Sequence, residues 1–205
     1  MAPDGEAARS WRWVAFGVAG GAAASFAATA PFVVLQLWTP LPYMATPRRK
    51  LAAALGVARA AAERASARDP PKRALRLVDL GSGDGEVVLT AARCGWEATG
   101  VELNATLWAL SCARRLSLVG ACGAGRARFV LGDLWRFDGV RDADAVMIFG
   151  VRPLMPLVAR KLRAEARAGA CVLAYRFEVP LGTGPEELDA ALIYDQEEMR
   201  VYQLR

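Results

Sequence analysis

The chain has 205 residues, 26 lysines and arginines against 21 acids, a net charge of +5, and no histidine. That length holds one α/β domain with an appendage and is too short for two full domains. Without histidine there can be no His-based triad, no His proton shuttle and few ordinary zinc sites. Cys94, Cys112, Cys122 and Cys171 show no C-x-x-C spacing. Three of them sit in apolar or alanine-rich contexts, which predicts reduced thiols used as small buried hydrophobes in a reducing compartment.

In chain order, the first feature is a charge-free run from Trp13 to Pro47. Its Ala/Gly/Val/Phe-rich part, from Trp13 through Ala30 and past Pro31 to Trp38, is long enough to cross a bilayer. Trp11 and Trp13 at one end, with Trp38 and Tyr43 at the other, suit interfacial anchors. A cleaved secretory signal and a buried soluble helix are the competing readings; a membrane span is the expectation. Gly17 and Gly21 form a G-x-x-x-G pair compatible with close helix contact. Pro31, Pro40, Pro42 and Pro47 then imply an irregular connector, so residues 1–47 read as an anchor and connector, and 48–205 as the globular domain.

Between Arg48 and Arg76, basic residues greatly outnumber acids. The pattern predicts an alanine-rich helix from Arg48 to Arg68 with a solvated basic face, and it also suits an anionic lipid surface. On the positive-inside rule the domain that follows faces the cytoplasm or the mitochondrial matrix. No RNP-like aromatic motif or basic groove pattern is present, so a nucleic-acid partner is not expected.

Next, an apolar strand (Leu75 to Leu80) runs into Asp79-Leu-Gly-Ser-Gly-Asp-Gly85, and a helix begins near Glu86. A second strand, Glu97 to Val101, ends on Glu102, about twenty residues beyond the turn, as a nucleoside-binding βαβ unit requires. Gly81, Gly83 and Gly85 permit unusual dihedrals and close approach of the backbone to a ligand. An ionised Glu102 can accept hydrogen bonds from two ribose hydroxyls. Asp84 reads equally as a solvated turn aspartate. The D-x-G-x-G-x-G run is similar to motif I of the class I S-adenosylmethionine-dependent methyltransferases.

Further on, Ala105 to Leu118 reads as an amphipathic helix and Arg126 to Leu131 as a strand ending at Gly132-Asp133-Leu134-Trp135. Ala143 to Phe149 reads as a strand, Leu154 to Arg167 as a helix stopped by Gly169, and Ala170 to Phe177 as a strand. Ala190 to Tyr194 and Met199 to Leu204 complete the chain as two short strands joined by an acidic turn, Asp195 to Glu198. The alternation predicts a mostly parallel sheet with an antiparallel edge, and Asp79, Glu102, Asp133 and Phe149 on its carboxyl rim.

A narrower resemblance rests on Thr29 to Phe32, Leu41 to Pro47, Val78 to Gly85, Gly100 to Asn104, Asp133 to Trp135, Arg176-Phe177 and Tyr194-Asp195 in that order. In these stretches the chain resembles the membrane-anchored mitochondrial protein-lysine methyltransferases that modify the c-ring protein of ATP synthase or the adenine nucleotide translocase. The resemblance implies a Rossmann-like class I methyltransferase fold: a mostly parallel α/β sheet with an antiparallel C-terminal hairpin, preceded by an N-terminal transmembrane helix. It implies S-adenosylmethionine as cofactor, held by Asp79, Gly81, Ser82, Gly83, Gly85, Glu102 and Leu103. Asp133 would meet the adenine amino group, and Leu134 or Trp135 would flank the ring, although Trp135 reads equally as a core or lid tryptophan. It also implies residence at the mitochondrial inner membrane, facing the matrix beside anionic lipid, and an integral membrane protein as substrate or host complex.

Methyl transfer to an amine needs alignment and a neutral lysine more than acid–base machinery. Tyr194 and Asp195 are the candidate catalytic pair, with Phe177 and Trp135 beside them in a lysine channel; an edge strand ending at a turn is the competing reading. Three departures from the family pattern stand out: Glu86 where an arginine is usual, Ala105-Thr106 in place of Pro-Trp, and Leu192-Ile193 in place of an aromatic. Two functions follow, an active protein-lysine methyltransferase and a catalytically inactive accessory subunit of a respiratory-chain or ATP synthase complex. A methyltransferase-fold enzyme for a small lipid or quinone fits the tether but has no motif of its own.

Overall fold

Short apolar segments pair into seven strands in the computed structural model, which describes residues 48–65, 73–116 and 126–205. They are β1 (Arg76–Leu80), β2 (Glu97–Glu102), β3 (Ala127–Leu131), β4 (Ala145–Ile148), β5 (Cys171–Tyr175), β6 (Ala190–Gln196) and β7 (Met199–Leu204). The helices among the described residues are α1 (Arg48–Ala65), α2 (Glu86–Arg93), α3 (Ala105–Leu116) and α4 (Met155–Glu165), the last entered through a 3-10 turn, Arg152–Leu154. The sheet order is β3-β2-β1-β4-β5-β7-β6. Strands β1 to β5 run parallel, and β7 lies antiparallel to both β5 and β6. The strand order reverses between β1 and β4, so the carboxyl ends of those two strands form the crevice in which such sheets bind ligands.

Each helix is where it is because of its apolar stripe. In α1, Leu51, Ala54, Leu55, Ala58, Ala61 and Ala62 recur at three- and four-residue spacing and are buried. Alanine at most of these positions lets the helix lie close to the sheet. Together α1 and α2 cover one face, over Leu77, Met147, Leu173 and Val201. On the other face α4 covers Val78, Val146, Val172 and Tyr202. With both faces covered, β4 and β5 are buried along their whole length, as parallel strands between helices must be. Trp96, just before β2, is fully buried in the first core, with the Arg59 guanidinium of α1 5.3 Å from its ring centroid.

At the amino ends of the strands, the buried carboxylate of Asp144 accepts hydrogen bonds from Arg73 (2.7 Å), from the backbone N–H of Arg76 (2.7 Å) and from Arg167. This carboxylate joins the start of β1, the approach to β4 and the exit from α4. Its partners compensate for its desolvation.

Several expectations are corrected here. The Rossmann-like mixed sheet with its antiparallel hairpin is present, but the fold class loses its N-terminal transmembrane helix: among the described residues no helix is long and apolar enough to cross a membrane. The run from Trp13 to Trp38 assigned to that helix lies outside the described residues, as do Cys122 and the end of the basic helix beyond Ala65. Of the three cysteines among the described residues, Cys171 is buried, Cys112 is half-buried and Cys94 is exposed, against the expectation that three of the four are buried. The acidic turn is shorter than its four expected residues. Asp195 stands opposite Arg200 and Gln196 opposite Met199, so β6 continues to Gln196. Only Glu197 and Glu198 turn the chain, at φ 49° and 72°. Two successive positive φ values match the twist of a two-residue hairpin, which Asn-Gly usually supplies.

Candidate active site

The glycine-rich turn after β1 is held open by backbone bonds to β2. Gly81 and Ser82 N–H both donate to the Val101 carbonyl at 2.9 Å, and Gly85 N–H donates to Ser82 O at 2.9 Å. Gly81, Gly83 and Gly85 have φ of 87°, 55° and 81°, values costly for any residue with a Cβ. Gly85 is also enclosed, since a Cβ there would lie 2.6 Å from Phe129 and 2.9 Å from Ser111. Gly81 is the opposite case: a Cβ on it would meet nothing within 4 Å, so its φ and not its surroundings demands glycine, and the space above it is open.

Glu102, at the end of β2, flanks the glycine turn on the side away from β4. One carboxylate oxygen accepts the Gly83 N–H and the other the Asn104 N–H, each at 2.8 Å. The side chain is thus fixed between the turn and the end of β2, and each oxygen keeps a lone pair for a further donor. Ser82 Oγ is buried with no partner among the described residues. A fixed carboxylate with spare acceptor capacity, an unpartnered hydroxyl and open space over a glycine turn fit a nucleoside-bearing ligand.

Where the base of such a ligand belongs, past the ends of β2 and β3, Leu103, Leu131 and Trp135 are exposed large hydrophobics. Asp133 forms an Asx turn, its Oδ1 accepting the Trp135 N–H at 2.9 Å. Leu134 packs instead against the second core.

A charged cluster braces the start of α2. Asp84 Oδ1 accepts the Glu86 N–H at 3.2 Å, and Arg114 of α3 bridges the carboxylates of Asp84 and Glu86. Arg48 of α1 joins Glu86 from outside. Burial alone would raise the Glu86 pKa, but hydrogen bonds from Arg48 and Arg114 outweigh it and hold the carboxyl below its ordinary value. The acid standing where an arginine is usual thus has two arginines around it.

Asp79 behaves in the opposite sense. Burial first, then the Glu102 and Asp84 carboxylates, push its pKa from 3.8 up to about 8. The unfolded chain therefore loses this proton at a lower pH than the folded one. Stability contributed by the retained proton is full below the unfolded value and declines as pH rises from 3.8 to about 8. Asp79→Asn is expected to flatten this slope: urea unfolding should show the variant more stable than the parent at pH 8, by about 1–3 kcal/mol, and nearly equal to it in acid. An unchanged slope would show that Asp79 is ionised throughout.

The expected lysine channel is not assembled as a unit. Trp135 follows β3 and Tyr194 lies in β6, the two opposite edges of the sheet. Within β6, a bulge between Leu192 and Tyr194 sets Tyr194 opposite Val201 and against the α1 face. Asp195 points to the other face, ion-paired with Arg200 at 3.3 Å beside a cavity of about 420 Å³ that is also lined by Glu178 and Leu181. Phe177 packs on that second face too.

Between these groups, at the carboxyl ends of β4 and β5, Phe149 stands on the rim where the sequence placed it, 5.6 Å from Tyr175, a ring that sequence reasoning missed. It also missed Arg114 and the role of Asn104, whose Oδ1 caps α3 through the N–H groups of Thr106 (2.9 Å) and Leu107 (3.3 Å). An asparagine immediately before a helical pattern is a readable signal; Arg114 carries none.

Comparison with known proteins follows the same lines. Residues 79–186 match the family model described as the ANTKMT methyltransferase domain. The Mus musculus lysine N-methyltransferase named for the C component of ATP synthase is 34% identical over 203 residues, covering 96% of this chain and 76% of that protein. The adenine nucleotide translocase lysine N-methyltransferase of Mus musculus is 39% identical over 106 residues, 51% of this chain and 44% of that protein. Among solved structures, an RNA methyltransferase from Salinibacter ruber in complex with S-adenosyl-L-homocysteine superposes with a TM-score of 0.59 at 23% identity, covering 78% of this chain and 92% of that one. At that identity the likeness speaks for the fold.

Proposed function

The chain belongs to the ANTKMT methyltransferase family and is an S-adenosylmethionine-dependent protein-lysine methyltransferase, and from that premise we propose that it methylates a lysine of an integral membrane protein at the matrix side of the mitochondrial inner membrane. The accessory-subunit reading gives way to the enzymatic one. The choice of substrate class follows the relatives, which are named for the C component of ATP synthase and for the adenine nucleotide translocase. We read residues 48–205 as the catalytic domain.

One observation carries the reading: Glu102, fixed by the Gly83 and Asn104 N–H groups beside the open glycine turn. When bound, S-adenosylmethionine supplies an electrophilic methyl on a sulfonium. On the chain's side, Glu102 accepts the ribose hydroxyls, and the turn from Asp79 to Gly85 receives the methionine end through its backbone. Asp133, Leu103 and Trp135 frame the base, with Leu134 supporting them from the core. On the acceptor side Tyr194, Phe149 and Tyr175 provide an apolar, aromatic approach. Such an approach desolvates a lysine and lowers its pKa toward the neutral form that can attack. Asp195, held by Arg200, acts on the acceptor from the opposite face as a charge that draws in a basic segment.

The test is calorimetric titration of the full chain with S-adenosylmethionine and S-adenosylhomocysteine, followed by transfer of labelled methyl to membrane extracts. Binding with label on a lysine of a membrane protein is expected. A folded chain that binds neither compound would overturn the reading, and label confined to water-soluble proteins would overturn the choice of substrate class.

A further inference from the structure

The first turn of α1 lies across the carboxyl rim of the sheet and is held from both sides of β4. On one side, Arg48 pairs with Glu86, directly after the glycine turn that follows β1. On the other, Lys50 reaches the β6–β7 turn, where its Nζ donates to the Glu197 carbonyl at 2.9 Å and lies 3.5 Å from the Glu197 carboxylate. That turn stands at the carboxyl end of β5, because Met199 is paired with Tyr175. The Lys50 ammonium is also 5.9 Å from the centroid of the Tyr175 ring, and Tyr175 packs against Phe149, the residue that follows β4. In the sheet order β4 lies between β1 and β5, so this ammonium is held beside the crevice, on the acceptor side.

The partners of Lys50 are those an acceptor amine needs. An aromatic face attracts the cation, a carbonyl orients its N–H, and a carboxylate can take its proton. The other lysine among the described residues offers a contrast. Lys161 on α4 is bonded to the Phe137 carbonyl (2.8 Å) and both oxygens of Glu165 (2.8 and 2.7 Å), with its side chain only 6% exposed.

We propose that Lys50 is a methyl acceptor of its own chain, modified in cis at the site on whose rim it sits. The inference rests on the methyltransferase reading above. In the step, the Lys50 ammonium loses a proton to the Glu197 carboxylate and thence to water. The Nζ lone pair then forms the N–C bond to the sulfonium methyl as the C–S bond breaks, and sulfur keeps that electron pair in S-adenosylhomocysteine. One proton is released for each methyl transferred. Until an outside lysine displaces it, Lys50 occupies the approach that such a lysine must use.

The full chain is incubated with S-adenosylmethionine and no other acceptor, and its peptides are read by mass spectrometry. Methyl is expected on Lys50 and not on Lys161, with a rate that does not change on dilution. Glu197→Gln should slow this transfer at least about tenfold, and Lys50→Arg should remove the label. A second readout needs no turnover. By NMR of the unloaded chain, the Lys50 ε-methylene protons should be shifted upfield by the Tyr175 ring, and S-adenosylhomocysteine should perturb them. If the chain binds S-adenosylhomocysteine and methylates a membrane protein but leaves Lys50 unmodified, the proposal falls and the function stands. A Lys50 rate proportional to concentration rejects the cis route. No S-adenosylhomocysteine binding by the folded chain removes both.

Discussion

Glu102→Gln is expected to weaken S-adenosylmethionine binding by about a hundredfold while the chain stays folded, the cost of about 2–3 kcal/mol following from a buried acceptor turned into a donor. Each oxygen of Glu102 already accepts one backbone N–H, from Gly83 and from Asn104. The amide of glutamine has the same shape but only one acceptor atom. Its NH₂ group must face either the Gly83 or the Asn104 N–H, donor against donor. Whichever way it turns, the glycine turn or the entry to α3 loses its tether, and one ribose hydroxyl loses its acceptor. Calorimetric titration with wild type alongside reads the loss directly, and far-ultraviolet circular dichroism checks the fold. Undiminished affinity in the variant would mean that residue 102 supports the turn without touching the ribose.

The geometry of the candidate site was legible wherever one stretch of chain must meet a backbone demand by itself. Gly81, Gly83 and Gly85 all take positive φ, so the turn declares itself in the choice of residues. Glu102 was legible because a βαβ unit fixes the distance between a turn and the next strand end. The bracing of that turn was not legible. Arg114 reaches Asp84 and Glu86 across 30 and 28 residues, and Arg48 reaches Glu86 across 38. A long-range ion pair has no periodicity, and any arginine on α3 looks like a solvated one until the helix is placed.

The same limit explains the acceptor side. Tyr194 and Asp195 are neighbours in sequence, which suggests a pair, yet successive residues of a strand face opposite ways. Trp135 was expected beside them in one lysine channel, but strand order puts β3 and β6 at opposite edges. The acidic turn between β6 and β7 was expected, but its restriction to Glu197 and Glu198 was not legible, for a different reason. Its left-handed residues are glutamates, held there by cross-strand partners such as the Arg176 N–H, which donates to Glu198 O at 2.7 Å. Residues in the left-handed conformation announce themselves when glycine, asparagine or aspartate supplies them, and glutamate does not.

Trp96→Ala is expected to destabilise the chain by about 3–5 kcal/mol, the range for truncating a large aromatic side chain in a packed core. The indole is fully buried, and Leu51, Leu55 and Val88 belong to the same core with little or no exposure. Two opposing details set where in that range the loss falls. The Arg59 guanidinium over the ring adds a cation–π contribution of about 0.5–1 kcal/mol that the variant forfeits. Against this, the Trp96 indole N–H is buried without a partner among the described residues, so its removal relieves an unpaired donor. Trp96→Phe keeps a ring under Arg59 and removes that donor, so it should lose less than half as much. Urea unfolding of the three proteins gives the ranking. The functional consequence runs through α1, whose packing on this core holds Arg48 and Lys50 at the rim. The alanine variant should therefore exchange the amides of α1 faster than those of β4, and bind S-adenosylmethionine more weakly than its residual folded fraction accounts for. A loss below about 1 kcal/mol would mean that the neighbouring side chains close the cavity, and that α1 is held by its rim contacts instead of by its buried stripe.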